Sequence, residues 1–200
     1  MLCGGCREAL SPIRPPFCAR CGAPTAWPVD RCLECAGRRL AFATARAAVS
    51  YTGPARPFLR AWKEAGLRPL ASVAAELVAE GVPRPAADVI TYVPPDGDRS
   101  IRRGHHPARG LARELGRLWG IEAAPLVSRR RAVGRQTGLA LAERRRNVRG
   151  AFAAAGRVPA AVVLVDDVYT TGATAAAAAA ALRAAGAVSV EVVSFARAVR

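Results

Sequence analysis

Residues 161–182 (AVVLVDDVYTTGATAAAAAAAL) constrain the fold more than any other part of the chain. Residues 161–165 form a short, continuous run rich in β-branched residues, which is typical of a strand buried on both faces of a parallel sheet. Residues 175–182 are almost all alanine, the strongest helix former, and Gly186 is well placed to end that helix. The segment therefore predicts a buried strand, a polar loop and a helix.

The loop between this strand and helix has the composition of a ligand site. Asp166 and Asp167 open it at the carboxyl end of the strand, where open α/β sheets bind their ligands. The residues that follow with hydroxyl groups or no side chain are Thr170, Thr171, Gly172 and Thr174. A helix N-terminus attracts anions through its unpaired N–H groups and its dipole, so the loop predicts a phosphate site. Ribose hydroxyls or hydrated Mg²⁺ would separate that phosphate from the carboxylates, which makes a phosphorylated sugar the implied ligand.

A purely structural explanation of this loop is also available. Threonines before helices are common caps, and two acids at a strand end are often only solvated. The loop has neither the Gly-Lys-Ser/Thr of a Walker loop nor a GxGxxG pattern. Each feature alone favours the structural explanation, whereas all of them in this order favour a ligand site.

Residues 162–174 resemble the ribose-phosphate-binding motif of type I phosphoribosyltransferases. The shared pattern is four apolar residues, two acids, two apolar residues and Thr-Thr-Gly-x-Thr. In that family the acids hold the 2- and 3-hydroxyls of phosphoribosyl pyrophosphate (PRPP), a role that the resemblance implies for Asp166 and Asp167. The family's loop wraps the 5-phosphate, a role implied for Thr170, Thr171, Gly172, Ala173 and Thr174.

Six cysteines lie within the first 35 residues as three CxxC pairs, Cys3/Cys6, Cys18/Cys21 and Cys32/Cys35. Two CxxC turns complete a tetrahedral Cys₄ zinc site, and disulfides are the alternative, which nothing in the sequence favours. We expect residues 1–37 to form a zinc ribbon stabilised by its metal, because so small a segment has little apolar core. The predicted closed site is Cys18, Cys21, Cys32 and Cys35. Cys3 and Cys6 lack a partner pair, which suggests either a true start upstream of Met1 or a decayed half-site.

The composition indicates a basic protein with one main domain. The chain has 200 residues, of which 52% are hydrophobic, and a formal net charge of +15 from thirty basic and fifteen acidic residues. All basic residues but one are arginine. This excess favours polyanionic partners such as nucleic acid, although many basic proteins have none. We find no charged leader with an apolar core and no long apolar run, and we expect a cytoplasmic protein without membrane insertion.

The remaining apolar patterns extend the α/β prediction. They predict strands at residues 45–51, 88–93 and 188–194, and helices at residues 57–64, 70–80 and about 107–119. We therefore expect a phosphoribosyltransferase-type parallel sheet flanked by helices over residues 38–200, preceded by the small zinc ribbon. Trp62, Trp119 and Phe195 are predicted core residues, the alternative for Phe195 being a base-stacking position.

Two basic segments have functional alternatives. In residues 96–116, Arg99, Arg102 and Arg103 either form a solvated turn or, with Arg99 and Arg103 foremost, bind the diphosphate of PRPP. The second segment, residues 129–149 with one arginine just outside it, contains Arg129, Arg130, Arg131, Arg135, Arg144, Arg145, Arg146, Arg149 and Arg157. It could cover a phosphorylated substrate, follow the backbone of single-stranded DNA or form a solvated surface.

Nearly the whole chain resembles the ComF family of competence-related proteins, in which zinc ribbons precede a phosphoribosyltransferase-like domain. YTGPARPFLRAWKEAG is similar to the family's first strand and helix, with Lys63 at its usual lysine, and IRRGHHPARGLA to its RGFNQ helix start. RQTGLALAERRRNVRGAF is similar to its arginine segment, through Gln136, Leu139, Arg144, Asn147 and Phe152. The chain departs from Phe-Asn-Gln at His105, His106 and Pro107. We expect exposed histidines there, the alternative being phosphate contacts or proton donors.

The resemblance implies two functions of different class. The first is an accessory factor that assists single-stranded DNA uptake in natural transformation, with a helicase or another DNA-processing protein as partner and a PRPP-type binding site. The alternative is an active phosphoribosyltransferase, in which Mg²⁺ and arginines stabilise the leaving diphosphate while Asp166 and Asp167 hold the ribose. No residue identifies an acceptor base, and we favour the first function.

Overall fold

A four-stranded parallel sheet with strand order β1-β6-β5-β2 lies at the centre of the computed structural model, which describes residues 3–95, 105–130 and 150–199. In chain order the elements are α1 (Gly4–Glu8), β1 (Thr44–Ser50), α2 (Ala55–Lys63), α3 (Leu70–Gly81), β2 (Val89–Tyr92), α4 (Pro107–Trp119), β3 (Val127–Arg129), β4 (Phe152–Ala154), β5 (Ala161–Tyr169), α5 (Ala173–Ala184) and β6 (Ser189–Arg197). Strands β3 and β4 form a separate antiparallel pair.

Both faces of the sheet are covered by hydrophobic layers. Side chains alternate between the two faces along each central strand, so each strand contributes to both layers. Val163 and Val165 of β5 contribute to the hydrophobic layer that contains α2, α3 and α4. Val162 and Leu164 contribute to the opposite layer, which contains α5 and the cysteine segment. The predicted α/β class, a parallel sheet flanked by helices, is confirmed.

An aromatic cluster fills the layer beneath α2. Phe195 of β6 stacks on Phe58 with ring centroids 4.7 Å apart, and Trp62 contacts Phe195 edge-on at 6.2 Å. Phe195 and Trp62 are fully buried, and Trp119 is buried in the same layer. The prediction that these three residues belong to the core is confirmed, and Phe195 is not placed to stack on a ligand.

Strand β5 is longer than its apolar run predicts. It continues from Val165 to Tyr169 because β6 offers a partner over the same length, with Asp166 opposite Ser194 and Tyr169 opposite Arg197. Asp166 and Asp167 therefore lie within the last four residues of the strand rather than in the loop. The following helix begins at Ala173, two residues earlier than predicted.

The cysteine segment covers the outer edge of the sheet. Backbone N–H groups of β1 at Ala45 and Ser50 donate to the carbonyl oxygens of Arg20 and Ser11, at 3.0 and 2.8 Å. An exposed edge strand offers unpaired backbone groups to other chains, and this segment satisfies several of them. Across residues 3–95, 105–130 and 150–199, no helix combines the length and apolar character needed to cross a membrane.

Candidate functional site

The acidic pair lies at the carboxyl end of β5, where one of its members forms an ion pair. Successive strand residues face opposite sides of the sheet, and Asp167 faces the layer of α2. There the ammonium of Lys63, the only lysine in the sequence, donates to Asp167 Oδ1 at 2.6 Å. Both side chains are only partly exposed, so this contact is less screened than a surface ion pair. The two carboxylates consequently differ in their charge environment.

Asp166 is the member whose ionisation is perturbed. Burial and the neighbouring Asp167 carboxylate raise the pKa of Asp166 to about 7, while Lys63 acts in the opposite direction. Asp166 Oδ1 accepts a hydrogen bond of 2.9 Å from the backbone N–H of Asp167, which fixes its rotamer. Near neutral pH this carboxyl group can therefore donate as well as accept a hydrogen bond. Hydroxyl donors or a cation at the pair would favour its ionised form.

The loop that follows β5 is held by Tyr169 and Gly172. Gly172 has φ +69°, and a Cβ atom there would lie 2.2 Å from the Tyr169 hydroxyl oxygen, so both conformation and space require glycine. Thr171 is buried, and its Oγ1 accepts from the backbone N–H of Ala173 at 3.2 Å. Thr170 and Thr174 are partly exposed. The loop thus contains one threonine hydroxyl that is used by the backbone and two that are partly exposed.

Lys63, the partner of Asp167, also lines a cleft of about 500 Å³. It lies between the end of β1 and the outer face of α2, and it is lined by Tyr51, Arg56, Pro57, Leu59, Arg60, Lys63 and Glu64. The sequence analysis did not single out Arg56 and Arg60. Their spacing with Lys63, at i, i+4 and i+7, places the three basic residues on one helix face and could have been recognised in the sequence.

The expectation of exposed histidines is wrong, because both rings are partly buried. His106 is the N-cap of α4, where its Nδ1 accepts from the backbone N–H of Arg109 at 2.8 Å. Its ring lies 5.4 Å from that of Tyr92, and burial lowers its pKa while the charge of Asp167 raises it. A ring nitrogen of His105 lies 2.5 Å from the carbonyl oxygen of Trp62. Helix capping and contact with α2 explain why the two rings leave the surface.

Several predicted residues lie outside the described part of the chain, namely Arg99, Arg102, Arg103, Gln136, Leu139, Asn147 and the arginines from Arg131 to Arg149. Of the second basic segment, Arg129 is half-buried and donates to the carbonyl oxygens of Pro94 and Pro95 at 3.2 and 3.1 Å. Its guanidinium also lies over the ring of Phe152. Arg129 therefore anchors the end of β2, whereas Arg130 and Arg157 are exposed.

Four of the six cysteines form a compact cluster on the N-terminal side of the sheet. The Sγ atoms of Cys18, Cys21, Cys32 and Cys35 all lie within 4.8 Å of one another. Thiolates bound to one zinc ion at about 2.3 Å stand about 3.8 Å apart, close to the 3.6 Å of Cys18–Cys35 and the 3.5 Å of Cys21–Cys32. The cluster could bind a metal such as zinc, which is the ion that four thiolates in a tetrahedron prefer.

One thiol of the cluster ionises more readily than usual, whereas burial raises the pKa of Cys21 and of Cys35. Burial disfavours the Cys18 thiolate, but backbone N–H donors from Cys21, Cys32 and Arg20 outweigh that cost and lower its pKa to about 7. None of the six cysteines, all of which lie in the described part of the chain, forms a disulfide. Cys3 and Cys6 are exposed near α1 and do not belong to the group of four found among the described residues.

Comparison with curated proteins shows what the chain is similar to. Competence protein F of Haemophilus influenzae is 27% identical, over 98% of this chain and 90% of that protein. DNA utilization protein YhgH of Salmonella typhi is 29% identical, over 96% of this chain and 88% of that protein, and YhgH of Salmonella typhimurium is similar to the same extent. The chain is a homologue of these proteins over nearly its whole length. The predicted resemblance to the ComF family is thus confirmed.

Family models and solved structures provide two further comparisons. No family model matches this chain. Among solved structures, the glutamine PRPP amidotransferase of B. subtilis, complexed with ADP and GMP, is 29% identical over 62% of this chain, with a TM-score of 0.37. The chain spans about a quarter of that protein, as the match covers 25% of it.

The metal content of single cysteine variants tests the cluster. We expect about one zinc ion per chain in the purified protein and almost none in Cys32→Ser, because three thiolates and a hydroxyl bind zinc far more weakly than four thiolates. Cys3→Ser is the matched control and should keep its metal. Elemental analysis by mass spectrometry measures the content, and Co²⁺ substitution reports the thiolate number. Full zinc in Cys32→Ser, or loss in Cys3→Ser, would contradict the assignment.

Proposed function

We propose that this chain is a competence-associated protein that assists single-stranded DNA uptake or processing in natural transformation and binds a phosphorylated ribose such as PRPP. The observation that carries the first part is the similarity to Competence protein F and the YhgH proteins over at least 96% of the chain. The formal charge of +15 supports a polyanionic partner. Its protein partner would be a helicase or another DNA-processing factor.

The second part rests on the residues at the end of β5. Asp166 and Asp167 supply carboxylate oxygens for the ribose hydroxyls, and Lys63 balances the charge of Asp167. The loop of residues 170–174 offers two partly exposed hydroxyls and the N-terminus of α5 to the 5-phosphate. Mg²⁺, which is coordinated by carboxylate and phosphate oxygens, would accompany the diphosphate of PRPP and neutralise its charge.

An active phosphoribosyltransferase is the second candidate, favoured by the cleft beside Lys63. Arg56 and Arg60 line this cleft together with Lys63, the partner of Asp167. Positive groups fixed at the position of a leaving diphosphate would stabilise the charge that develops as its bond to the ribose breaks. Arg99 and Arg103 are proposed to bind the same group. The two candidates are compatible, because both require PRPP at the same site.

Calorimetric titration of PRPP with Mg²⁺ into the zinc-loaded protein tests the ribose site. We expect binding by the wild type and at least about a hundredfold weaker binding by Asp166→Asn/Asp167→Asn, because each charge-assisted hydrogen bond contributes roughly 1.5–3 kcal/mol. Glu76→Gln/Glu122→Gln is the matched control, since it removes two exposed carboxylates elsewhere and should bind normally. Undiminished binding by the aspartate variant would place the ribose elsewhere. A folded wild type that binds no PRPP would reduce the motif to a scaffold.

The salt dependence of binding to a single-stranded oligonucleotide tests the DNA role. We expect the affinity to fall steeply with salt, and Arg144→Gln/Arg145→Gln/Arg146→Gln to lower the slope by about 2, since each lost contact with a single strand removes about 0.7. The matched control, Arg109→Gln/Arg113→Gln/Arg117→Gln, removes the same charge from the exposed face of α4. Fluorescence anisotropy measured between about 50 and 200 mM NaCl gives both slopes, because affinities that depend on phosphate contacts fall by orders of magnitude over this range. Absent or salt-insensitive binding would argue against direct DNA contact.

A further inference from the structure

Arg197, the last residue of β6, is a fully buried arginine that contacts the cysteine cluster. Its Nη1 donates to the carbonyl oxygen of Cys21 at 2.7 Å, and its Nη2 lies 3.7 Å from Cys21 Sγ. The same Nη2 donates to the Glu34 carboxylate at 2.7 Å. Burying a guanidinium is costly unless its charge is paired and its donors are used. These contacts pair the charge and use both terminal nitrogens, whereas the buried Nε has no hydrogen-bond partner among the described residues. They connect the end of β6 to the cluster.

The other face of Arg197 contacts the loop of the proposed ribose site through Tyr169. The guanidinium carbon lies 4.6 Å from the centroid of the Tyr169 ring, and Phe42 contacts that ring edge-on at 6.3 Å. The Tyr169 ring in turn fills the space in which Gly172 would carry a side chain. The position of this ring therefore sets how closely the loop approaches the sheet.

Arg38 makes a second connection between the same two regions. Its Nη2 donates to the carbonyl oxygen of Thr171 at 2.6 Å, inside the loop. Its Nη1 donates to the carbonyl oxygen of Glu34 at 3.1 Å, and its backbone N–H donates to Cys35. Glu34 belongs to the Cys32–Cys35 turn, so both arginines contact this CxxC turn. Arg38 also contacts the loop, and Arg197 contacts the Tyr169 ring beneath it.

We propose that Arg38 and Arg197 are positioning residues that couple the cysteine cluster to the loop of residues 170–174. A metal held by four thiolates fixes both CxxC turns, and the two arginines transmit that fixed geometry to Thr171 and Tyr169. Metal binding and phosphorylated-ribose binding then strengthen each other by the same factor, because linkage between two sites is reciprocal. The ligand in this inference rests on the proposed function, whereas the link between cluster and loop does not.

Hydrogen–deuterium exchange of the zinc-loaded protein tests the link without any ligand. In Arg38→Gln we expect the amides of residues 169–176 to exchange about tenfold faster at unchanged zinc content, within the usual 5- to 150-fold range of coupling between sites. Arg39→Gln is the matched control, since Arg39 is exposed and adjacent, and it should exchange like the wild type. Peptides from β2 serve as an internal reference.

Zinc affinity, measured by chelator competition with and without ribose 5-phosphate, tests the reciprocal effect. The sugar phosphate should raise the zinc affinity of the wild type and of Arg39→Gln at least about fivefold, and that of Arg38→Gln by much less. Arg197→Lys keeps the charge but loses the forked contact with Cys21 and Glu34, and it should also weaken this effect.

The two failures can be told apart. Loop exchange in Arg38→Gln equal to that of the wild type would overturn the coupling, whether or not the sugar phosphate binds. If ribose 5-phosphate does not bind the wild type, the proposed ribose site fails, and the exchange comparison still decides the coupling. Faster exchange in Arg38→Gln with the β2 peptides unchanged would support it.

Discussion

The parallel pairing of β5 with β6 over their full length is the constraint on which the rest of the structure depends. It continues past the apolar run, so that Asp166 lies opposite Ser194 and Tyr169 opposite Arg197. The pairing places the acidic pair at the carboxyl end of an inner strand and the tyrosine ring beneath Gly172. It also brings the buried arginine against Cys21. The loop of residues 170–174 therefore follows the last residue of β5, and the cysteine cluster contacts the last residue of β6.

Charge is distributed unevenly around this edge. Asp167 is paired with Lys63, whereas burial and the charge of Asp167 raise the pKa of Asp166. Near neutral pH a partly protonated Asp166 makes the pair repel a phosphate less than two fully ionised carboxylates would. Lys63 also lines a cleft with Arg56 and Arg60, of which Arg60 forms an ion pair with Glu64. The hydroxyl groups of the proposed phosphorylated ribose would donate to such a pair.

Local pattern was sufficient to predict the four strands of the central sheet, helices α2 to α5 and the cysteine cluster, but not α1, β3 or β4. Buried strands, the alanine helix and the core position of Phe195 follow from periodicity, and two CxxC pairs bring their own ligands together. The end of β5 was missed because apolar periodicity stops at Val165, whereas hydrogen bonding to β6 does not. The histidines were misplaced because capping by His106 and contact of His105 with α2 depend on packing.

The contacts that join the two sites could not be predicted, because they connect residues far apart in sequence. Arg38 and Thr171 are 133 residues apart, and Arg197 and Glu34 are 163 apart. Each partner alone resembles an ordinary surface arginine in a chain rich in arginine. Only the strand order, with β6 between β1 and β5, brings the N-terminal segment and the loop to the same place.

Phosphorus NMR of PRPP with the zinc-loaded protein tests directly whether the loop after β5 binds the sugar phosphate, because the 5-phosphate and the diphosphate give separate resonances. The 5-phosphate resonance should shift or broaden with the wild type and stay unchanged with Gly172→Ala, in which a Cβ atom displaces Tyr169. Perturbation of the diphosphate alone, or an equal effect with Gly172→Ala, would contradict a phosphate site in this loop.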